Sequence, residues 1–254
     1  MQHATDNLVS IVTPAYRASR FIGSTIESVL AQEHTRWEMI IADDCSPDDT
    51  VDVVNRYAAA DSRVRLVKLN QNHGAAGARN AALEETRGRY VAFLDSDDLW
   101  LPAKLRVQLA FMAETNAALS FTSFRRITQS GDRTGRLIPV PERLDYKSLL
   151  KNTAIVTSTV MLDTSVTGPV RMTRVYYDDF VLWLSILKRG VVAHGLPSDL
   201  ARYRVVKQSI SRNKANSARQ VWRTYRDVER LGFGSAAWCF ANYACRAALK
   251  YRSF

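Results

Sequence analysis

Three carboxylates, Asp95, Asp97 and Asp98, come directly after the apolar run formed by residues 90–94. An apolar run of this length, bounded by polar residues, predicts a buried strand, so the carboxylates would lie just past its end. Acids this close together repel one another unless a cation or a basic group compensates, and Mg²⁺ is held by one or two carboxylates together with substrate phosphates. The alternative is an acidic turn that caps a helix entered through Pro102. This stretch alone leaves both interpretations open.

Two further pairs of acids occur at predicted element boundaries. Asp43 and Asp44 follow the apolar run 37–42, while Asp178 and Asp179 precede an apolar helical pattern. For the first pair the alternative to a binding role is an exposed turn that caps the next helix. For the second pair it is a favourable negative charge at a helix N-terminus.

Strands and helices alternate from residue 8 to about residue 95, which predicts a parallel sheet with helices on both faces. The first strand would end before Pro14. In such a sheet the second and fourth strands end at one edge, so their acids would converge there. Beyond residue 100 the pattern loosens, and we expect irregular structure over residues 132–152, as a loop near the site. The other predicted elements are helices at 103–115, 180–190, 215–230 and 235–252 and strands at 117–124, 156–162, 191–194 and 201–206.

The composition is that of a globular protein, with 254 residues, of which 46% are hydrophobic and 24% charged. No apolar run approaches the ~20 residues that span a bilayer, and the first residues lack the pattern of a signal peptide. Three cysteines without metal-ligand spacing predict free thiols in a reducing compartment. The net charge of +10 comes entirely from residues 201–254, which hold 12 basic and 2 acidic residues. Such a tail predicts contact with an anionic surface and argues against a nucleic-acid binder, whose basic residues would spread over a recognition surface.

Five ordered motifs stand out: SIVTPAY at 10–16, IADDCS at 41–46, GARNAAL at 77–83, FLDSDD at 93–98 and DDFVLWL at 178–184. Together they resemble the signatures of glycosyltransferase family 2, an inverting family with the GT-A fold. The resemblance implies an α/β protein, with a Rossmann-like nucleotide-binding GT-A sheet, flanking helices and a basic helical extension at the C-terminus. The implied domains are a glycosyltransferase domain at 1–214, with a nucleotide-sugar half at 8–105 and an acceptor and catalytic half at 106–214, and an amphipathic helical tail at 215–254.

The resemblance also implies a role for each motif, with the uracil and ribose bound at the first two and the diphosphate near the third. Asp95 and Asp97 would form the D-x-D motif that holds Mg²⁺ or Mn²⁺, with Asp97 as the direct ligand, and Asp179 would be the catalytic base. In related enzymes a segment after the base helix closes on the nucleotide, so Arg212 or Lys214 would pair with the diphosphate; the alternative is a solvated basic turn. The donor-binding residues implied elsewhere are Pro14, Ala15, Tyr16, Asp44, Arg79, Ser96 and Asp97.

Three positions depart from the family pattern. Arg17 stands where many members have Asn, and Asp178 stands where Glu is commoner; these changes leave the mechanism in place but blur donor specificity. Cys45 stands where Gly is frequent, so its backbone must adopt an angle that Cys can reach. For Arg79 the alternative to a binding role is an ordinary surface position on a helix.

The residues and the resemblance together predict a metal-dependent, inverting glycosyltransferase of the hexosyltransferase type. A divalent cation would stabilise the departing diphosphate, and a carboxylate would take the proton of the acceptor hydroxyl. We expect a UDP-linked donor and a lipid-linked glycan acceptor, in surface polysaccharide assembly at the cytoplasmic face of the membrane. The tail would contact that anionic membrane, or alternatively pack its apolar face on the catalytic domain. A nucleotidyltransferase is the competing enzyme class, although residues 14–17 are not the glycine-rich loop that it needs.

Overall fold

The first four strands of the computed structural model, which describes residues 7–206 and 214–250, form a parallel sheet. Both faces of the first two strands are buried, as expected where helices cover a parallel sheet on both sides. The predicted parallel sheet is confirmed, although the first strand continues through Pro14 instead of ending before it. The elements, with sheet order β3-β2-β1-β4, are β1 (Val9–Ala15), α1 (Ile22–Leu30), β2 (Trp37–Asp43), α2 (Thr50–Ala60), β3 (Val64–Lys68), α3 (Gly74–Glu84) and β4 (Tyr90–Phe93).

The second half of the chain extends this sheet with strands of both directions. Its elements are β5 (Leu99–Trp100), α4 (Lys104–Thr115), β6 (Leu119–Ile127), β7 (Thr134–Ile138), β8 (Arg143–Leu144), α5 (Tyr146–Leu149), β9 (Met161–Asp163), α6 (Thr164–Thr167), α7 (Asp178–Lys188) and β10 (Ala193–Arg204). β9 runs antiparallel between β4 and β6, and β6 pairs parallel with β10. β5 and β8 pair antiparallel with β10, and β7 pairs antiparallel with β6. The result, over the described residues, is one mixed ten-stranded sheet.

The prediction of irregular structure over residues 132–152 is wrong. β7 folds back on β6 across a turn at Gly131, whose φ of 81° lies in the left-handed region that glycine tolerates. Pro139 and Pro141 follow β7 and limit it to five residues, since proline cannot donate to a strand pairing. β8 and α5 occupy the rest of this segment.

Two strand predictions are also wrong in detail. The strand predicted at 156–162 is instead a one-turn 3₁₀ helix at Thr157–Thr159, called here the 157–159 turn, followed by β9. The two short strands predicted at 191–194 and 201–206 form one strand, β10. Its pairing with β6 shifts register between residues 196 and 201, so a bulge joins what the sequence pattern separates.

The sheet separates two hydrophobic cores, and neighbouring residues of β1 enter opposite ones. Ile11 belongs to the core covered by α1, α2 and α4, whereas Val12 belongs to the core covered by α3 and α7. In the second core the rings of Phe93 and Trp183 meet edge to face with their centres 5.4 Å apart. This packing fixes the end of β4 relative to α7, and both elements carry candidate site residues.

The chain closes with two helices and a π-helical turn: α8 (Lys214–Arg223), the turn Thr224–Val228, and α9 (Phe233–Lys250). Val221, Tyr225, Ala236 and Cys239 are buried in the same core as α7. The Tyr225 hydroxyl donates a hydrogen bond to the carbonyl oxygen of Leu150. The inner side of the tail therefore packs on the core beside α7, as one of the two alternatives for the tail expects. In the part of the chain that the structure describes, no helix has both the length and the apolar character to cross a membrane.

Candidate active site

Arg79 joins acidic side chains from the two halves of the chain. Its guanidinium donates to Asp95 Oδ1 at 2.6 Å and to Asp178 Oδ2 at 3.0 Å. Asp95 lies in the loop after β4, whereas Asp178 opens α7, so segments that are far apart in the sequence flank one arginine. The acids that follow the carboxyl end of a parallel strand and the acids that begin a helix thus form one site, at the sheet edge where ligands bind in such folds.

Arg79 is only 7% exposed, so the alternative of a surface helix residue is wrong. Burial alone would lower the pKa of the Arg79 guanidinium, but the charges of Asp95, Asp178 and Asp179 outweigh it and raise that pKa. Arg79 is therefore a permanent positive charge inside a cluster of acids. Its contact with a donor diphosphate remains a prediction.

The loop of residues 95–98 is fixed by its buried member, Asp98. The Asp98 carboxylate accepts hydrogen bonds from the Ser158 hydroxyl at 2.5 Å and from the backbone amide of Arg204 at 2.8 Å. From α1, the Thr25 hydroxyl donates to the carbonyl oxygens of Ser96 and Asp98, each at 2.9 Å. Ser96 thus takes part in the loop through its backbone, and its contact with a donor remains a prediction.

Asp95 and Asp97 are the partly exposed carboxylates of the same loop. Burial, together with the charge of Asp95, raises the pKa of Asp97 to about 6. A divalent cation would relieve this repulsion, so the pair fits the chemistry of Mg²⁺ or Mn²⁺. Over residues 7–206 and 214–250, no group of three or more His, Cys, Asp or Glu side chains is arranged to hold a metal by itself. Mg²⁺ needs no such group where substrate phosphates supply the other oxygens.

The two acids that begin α7 have different surroundings. Asp178 is 8% exposed, and its burial raises the pKa of its carboxyl to about 6 although the guanidinium of Arg79 opposes the shift. Asp179 is more exposed, and the Thr157 hydroxyl donates to its Oδ2 at 2.7 Å. Both lie in the first turn of the helix, where the helix dipole favours negative charge. Favourable helix charge is therefore compatible with a role in the site, and the role of Asp179 as the base remains a prediction.

Asp43 and Asp44, at the end of β2, are both buried, so the alternative of an exposed turn is wrong. Asp43 accepts a hydrogen bond from the backbone amide of Ser46 at 3.0 Å. Asp44 accepts from the amides of His73 at 2.7 Å and Gly74 at 2.8 Å, and so fixes the loop that begins α3. A uracil base would have to share a carboxylate that already binds two amides, and this contact of Asp44 remains a prediction.

The end of β1 carries the residues predicted to hold uracil and ribose. Pro14 is half-buried, Ala15 is buried, and Tyr16 is 45% exposed with the Arg17 guanidinium 5.4 Å from its ring centre. An exposed aromatic ring is available for stacking on a base. Cys45 has a φ of 60°, so it does adopt the left-handed angle that favours glycine at this position.

The structure does not describe the side chains of the two residues after α7 that were predicted to bind the diphosphate. Arg212 lies outside the described residues. Lys214 begins α8, but its side chain is outside the described part of the chain. Their roles remain predictions.

The model of the family Glycosyl transferase family 2 matches residues 10–170, more than half of the chain. The chain belongs to this family. TuaG of Bacillus subtilis, whose name assigns it provisionally to teichuronic acid biosynthesis as a glycosyltransferase, is 48% identical over 244 residues, 96% of this chain and 97% of TuaG. WfgD of Escherichia coli, a UDP-Glc:alpha-D-GlcNAc-diphosphoundecaprenol beta-1,3-glucosyltransferase, is 38% identical over 85% of each chain.

Solved structures share the fold of this family-2 glycosyltransferase. TarS of S. aureus in complex with UDP-GlcNAc gives a TM-score of 0.69 at 17% identity, over 93% of this chain and 71% of that one. The mannosyltransferase PcManGT from Pyrobaculum calidifontis, in complex with GDP-Man and Mn²⁺, gives 0.69 at 18% identity, over 98% and 76%. The predicted GT-A fold and glycosyltransferase activity are confirmed, which decides against the nucleotidyltransferase alternative.

Three further residues, which the sequence did not predict, belong to the candidate site: Thr157, Ser158 and Arg204. Thr157 and Ser158 bind the carboxylates of Asp179 and Asp98, and the Arg204 Nε donates to the carbonyl oxygen of Asp97 at 2.7 Å. Three consecutive hydroxyl residues inside an otherwise apolar predicted strand were an available signal for the first two. Arg204 has no local signal, since its place depends on the pairing of β10.

Proposed function

We propose that the enzyme transfers a sugar, with inversion, from a UDP-sugar to a lipid-linked glycan in surface polysaccharide biosynthesis, using Mn²⁺ or Mg²⁺. The observation that carries this proposal is the position of Arg79 between Asp95 and Asp178. Through these two bonds Arg79 joins the loop of residues 95–98, which would hold the metal ion and the diphosphate, to the start of α7, which carries Asp178 and Asp179. A transferase needs a stabilised leaving group and a base on the acceptor side, and these two segments offer carboxylates for each task.

Within this proposal the residues of the candidate site have separate roles. Asp95 and Asp97 would hold the cation, which when bound acts as a Lewis acid on the leaving diphosphate. Arg79 adds a fixed positive charge on the same side, and Tyr16 would stack on the uracil. Asp179 would accept the proton of the attacking acceptor hydroxyl, with its carboxylate oriented by Thr157 and by the start of α7.

The substrate classes are supported by relatives that match most of the chain. WfgD uses UDP-Glc and an acceptor whose GlcNAc is linked to diphosphoundecaprenol. WfaP of Escherichia coli is named for the same activity and is 40% identical over 82% of this chain. TuaG, whose name refers to teichuronic acid, supports a role in a surface polysaccharide. The fold itself does not select the nucleotide, because TarS and PcManGT share it with different ones bound.

The test is a donor screen with purified enzyme and synthetic GlcNAc-diphospholipid acceptors. UDP-glucose, UDP-GlcNAc, UDP-galactose and GDP-mannose would be offered with Mn²⁺, with Mg²⁺ or with chelator. We expect metal-dependent turnover of a UDP-sugar. Turnover that is undiminished in chelator would remove the metal from the proposal, and turnover of GDP-mannose alone would remove the UDP donor.

Variants of the acids then separate the two roles. Asp179→Asn should bind UDP normally and lose transfer by about 100-fold or more, as expected for removal of a general base. Asp97→Asn should lose the metal-dependent part of UDP binding. Asp52→Asn, a matched change on the exposed side of α2, should leave both measurements unchanged. If Asp179→Asn transfers sugar normally, the assignment of the base is wrong.

The outer side of the tail supports the proposed contact with an anionic membrane on the cytoplasmic side. Phe233 and Trp238 are 70% and 63% exposed, which is unusual for large aromatic residues without a partner surface. Further along α9 the exposed side chains include Ala241, Ala244 and Cys245, so this side of the helix stays apolar. Aromatic and small apolar residues of this kind enter the lipid interface.

Basic residues of α8 and the following turn are exposed as well. Arg219, Arg223 and Arg226 are exposed and spaced by three or four residues, so they follow one side of the helical segment. Asp227 is exposed as well, but Glu229 accepts from Lys188 Nζ at 3.0 Å, so positive charge remains in excess. Such arginines would attract acidic headgroups.

Vesicle sedimentation tests the membrane contact with the full chain, because α8 and α9 supply core residues and deleting them would unfold the protein. We expect binding to phosphatidylglycerol vesicles but not to phosphatidylcholine vesicles. The change Phe233→Ala with Trp238→Ala should weaken it about tenfold, whereas Arg56→Gln, an exposed arginine of α2, should not. Equal binding by the aromatic variant and the wild type would contradict the proposal.

A further inference from the structure

The 157–159 turn lies between the loop of residues 95–98 and the start of α7. Its three side chains, Thr157, Ser158 and Thr159, all carry hydroxyl groups and all are buried. Buried hydroxyl groups cost free energy unless they are hydrogen-bonded, so three in succession need specific partners. Two of these partners belong to the candidate active site, and the third does not.

Ser158 binds the loop of residues 95–98 at two points. Its hydroxyl donates to Asp98 Oδ2 at 2.5 Å and accepts from the backbone amide of Asp95 at 3.1 Å. Its own carbonyl oxygen accepts from the Trp100 indole at 2.7 Å. Ser158 therefore fixes both ends of the segment that contains Asp97.

Thr157 binds the other side of the site, because its hydroxyl donates to Asp179 Oδ2 at 2.7 Å. Thr159 differs from both neighbours. Its hydroxyl donates to the backbone carbonyl oxygen of Val156 at 2.6 Å, within the same turn. The turn thus supplies its own matched control: two hydroxyls that reach site carboxylates and one, equally buried, that does not.

We propose that Thr157 and Ser158 are positioning residues, which set the base and the diphosphate-binding loop at a fixed separation. This inference rests on the proposed roles of Asp179, Asp95 and Asp97. Thr157 fixes the Asp179 carboxylate through Oδ2, while the backbone amide of Phe180 donates to Oδ1 at 2.6 Å, so the two bonds restrict this carboxylate to one orientation. Ser158 holds in place the loop that carries Asp95 and Asp97, the two carboxylates that would hold the cation. Because adjacent residues of one short turn do both, neither group moves without the other.

The competing explanation is that these hydroxyls only satisfy buried polar groups and so contribute to stability alone. Thermal unfolding would not separate the two explanations, since both predict a lower melting temperature. Two other measurements do: the split between kcat and donor KM, and the affinity of UDP in the presence and absence of Mn²⁺. A purely structural hydroxyl would lower the melting temperature without moving either of them selectively.

The experiment compares Thr157→Val, Ser158→Ala and Thr159→Val in the full chain. We expect Thr157→Val to lower kcat about tenfold with donor KM and Mn²⁺-dependent UDP affinity unchanged, and Thr157→Ser to restore kcat. Ser158→Ala should weaken UDP binding in Mn²⁺ about tenfold and leave metal-free UDP binding unchanged. Thr159→Val should change neither measurement.

If Ser158→Ala fails to fold because Asp98 Oδ2 is left buried without its donor, the same change is made in Asp98→Asn, which keeps the shape of the side chain and carries no charge. Equal kinetics for Thr157→Val and Thr159→Val would overturn the role of Thr157. Unchanged Mn²⁺-dependent UDP binding after loss of the Ser158 hydroxyl would overturn the role of Ser158. Asp179→Asn separates this failure from failure of the proposed function: if it is active, the base itself is misassigned; if it is inactive while the turn variants are normal, only the positioning role is wrong.

Discussion

Asp178 lies buried at the start of α7, in contact with the guanidinium of Arg79 and next to the carboxylate of Asp179. Burial raises the pKa of Asp178 to about 6, and the charge of Asp179 adds to the rise although Arg79 opposes it. Asn has nearly the shape of a protonated Asp and carries no charge. The change Asp178→Asn should therefore stabilise the fold at neutral pH, even though it alters a residue of the candidate active site.

The sign and size of this effect follow from proton linkage. The folded pKa of Asp178 lies above the unfolded value of 3.8, so the folded wild type holds the proton more tightly and loses stability as pH rises from about 4 to 6. A shift of this size corresponds to about 3 kcal/mol in full. Because Asn keeps only part of the bond to Arg79, we expect a gain of about 2 kcal/mol above pH 6. Because the weaker bond to Arg79 costs the same at every pH, the gain should fall to about a third near pH 5 and become a loss of up to about 1 kcal/mol below pH 4.

The assay is thermal unfolding followed by circular dichroism, in buffer with chelator and without nucleotide, between pH 4 and pH 8. At pH 7.5 the melting temperature should rise by about 4–8 °C for a chain of this size. Asp163→Asn is the control, and it should lower the melting temperature at pH 7.5. Burial raises the pKa of Asp163, but hydrogen bonds from Arg89 and Ser165 outweigh it and hold that pKa below its usual range. An Asp178→Asn protein that is no more stable at pH 7.5, or equally stabilised at pH 4 and pH 7.5, would refute the reasoning.

Three further predictions concern stability and are measured by urea denaturation. Lys104 is fully buried over an indole ring, its Nζ has no hydrogen-bond partner in the described part of the chain, and burial holds its pKa well below the usual range. Lys104→Met should raise the free energy of unfolding by about 1 kcal/mol at pH 7, and this gain should shrink toward pH 10. A lower free energy of unfolding at pH 7 would contradict the prediction. Ser10 donates to Glu38 at 2.6 Å and accepts from two backbone amides, so Ser10→Ala should cost about 1–3 kcal/mol, and a neutral effect would contradict it. A Cβ at Gly88 would lie 2.5 Å from a backbone carbonyl oxygen, so Gly88→Ala should cost about 2 kcal/mol or more, whereas Gly232→Ala, with nothing within 4 Å, should be neutral.

The first half of the fold could be predicted because its signals are local. Runs such as 37–42 are apolar throughout, as strands buried on both faces must be, and each ends abruptly at polar residues. The second half could not be predicted to the same extent. β5 and β8 have two residues each, and β10 crosses a bulge, so their existence depends on partners that are distant in the sequence. Local periodicity carries no information on such pairing.

The candidate site shows the same division between local and long-range information. Asp95 and Asp97 could be selected because acids at a strand end have recognisable chemistry, whereas Asp179 was selected through the resemblance to the family. The burial of Arg79 between two carboxylates depends on how α7 packs, which no pattern around residue 79 reveals. Thr157 was missed for a related reason, since a hydroxyl in an apolar segment becomes meaningful only once its partner is known.

The contacts of Arg79 and of the 157–159 turn bear on why donor and acceptor chemistry are held together. The buried guanidinium of Arg79 has two carboxylate partners, and it would be left uncompensated, at a large cost, only if both were lost. Arg79 therefore holds the loop of residues 95–98 against the start of α7. The 157–159 turn makes a second, independent connection between the same two segments, through Ser158 on one side and Thr157 on the other. One connection would allow the segments to rotate about it, whereas two fix their separation and their orientation. The acids expected to hold the cation at the leaving diphosphate are thus kept at a fixed distance and orientation from the acid expected to take the proton.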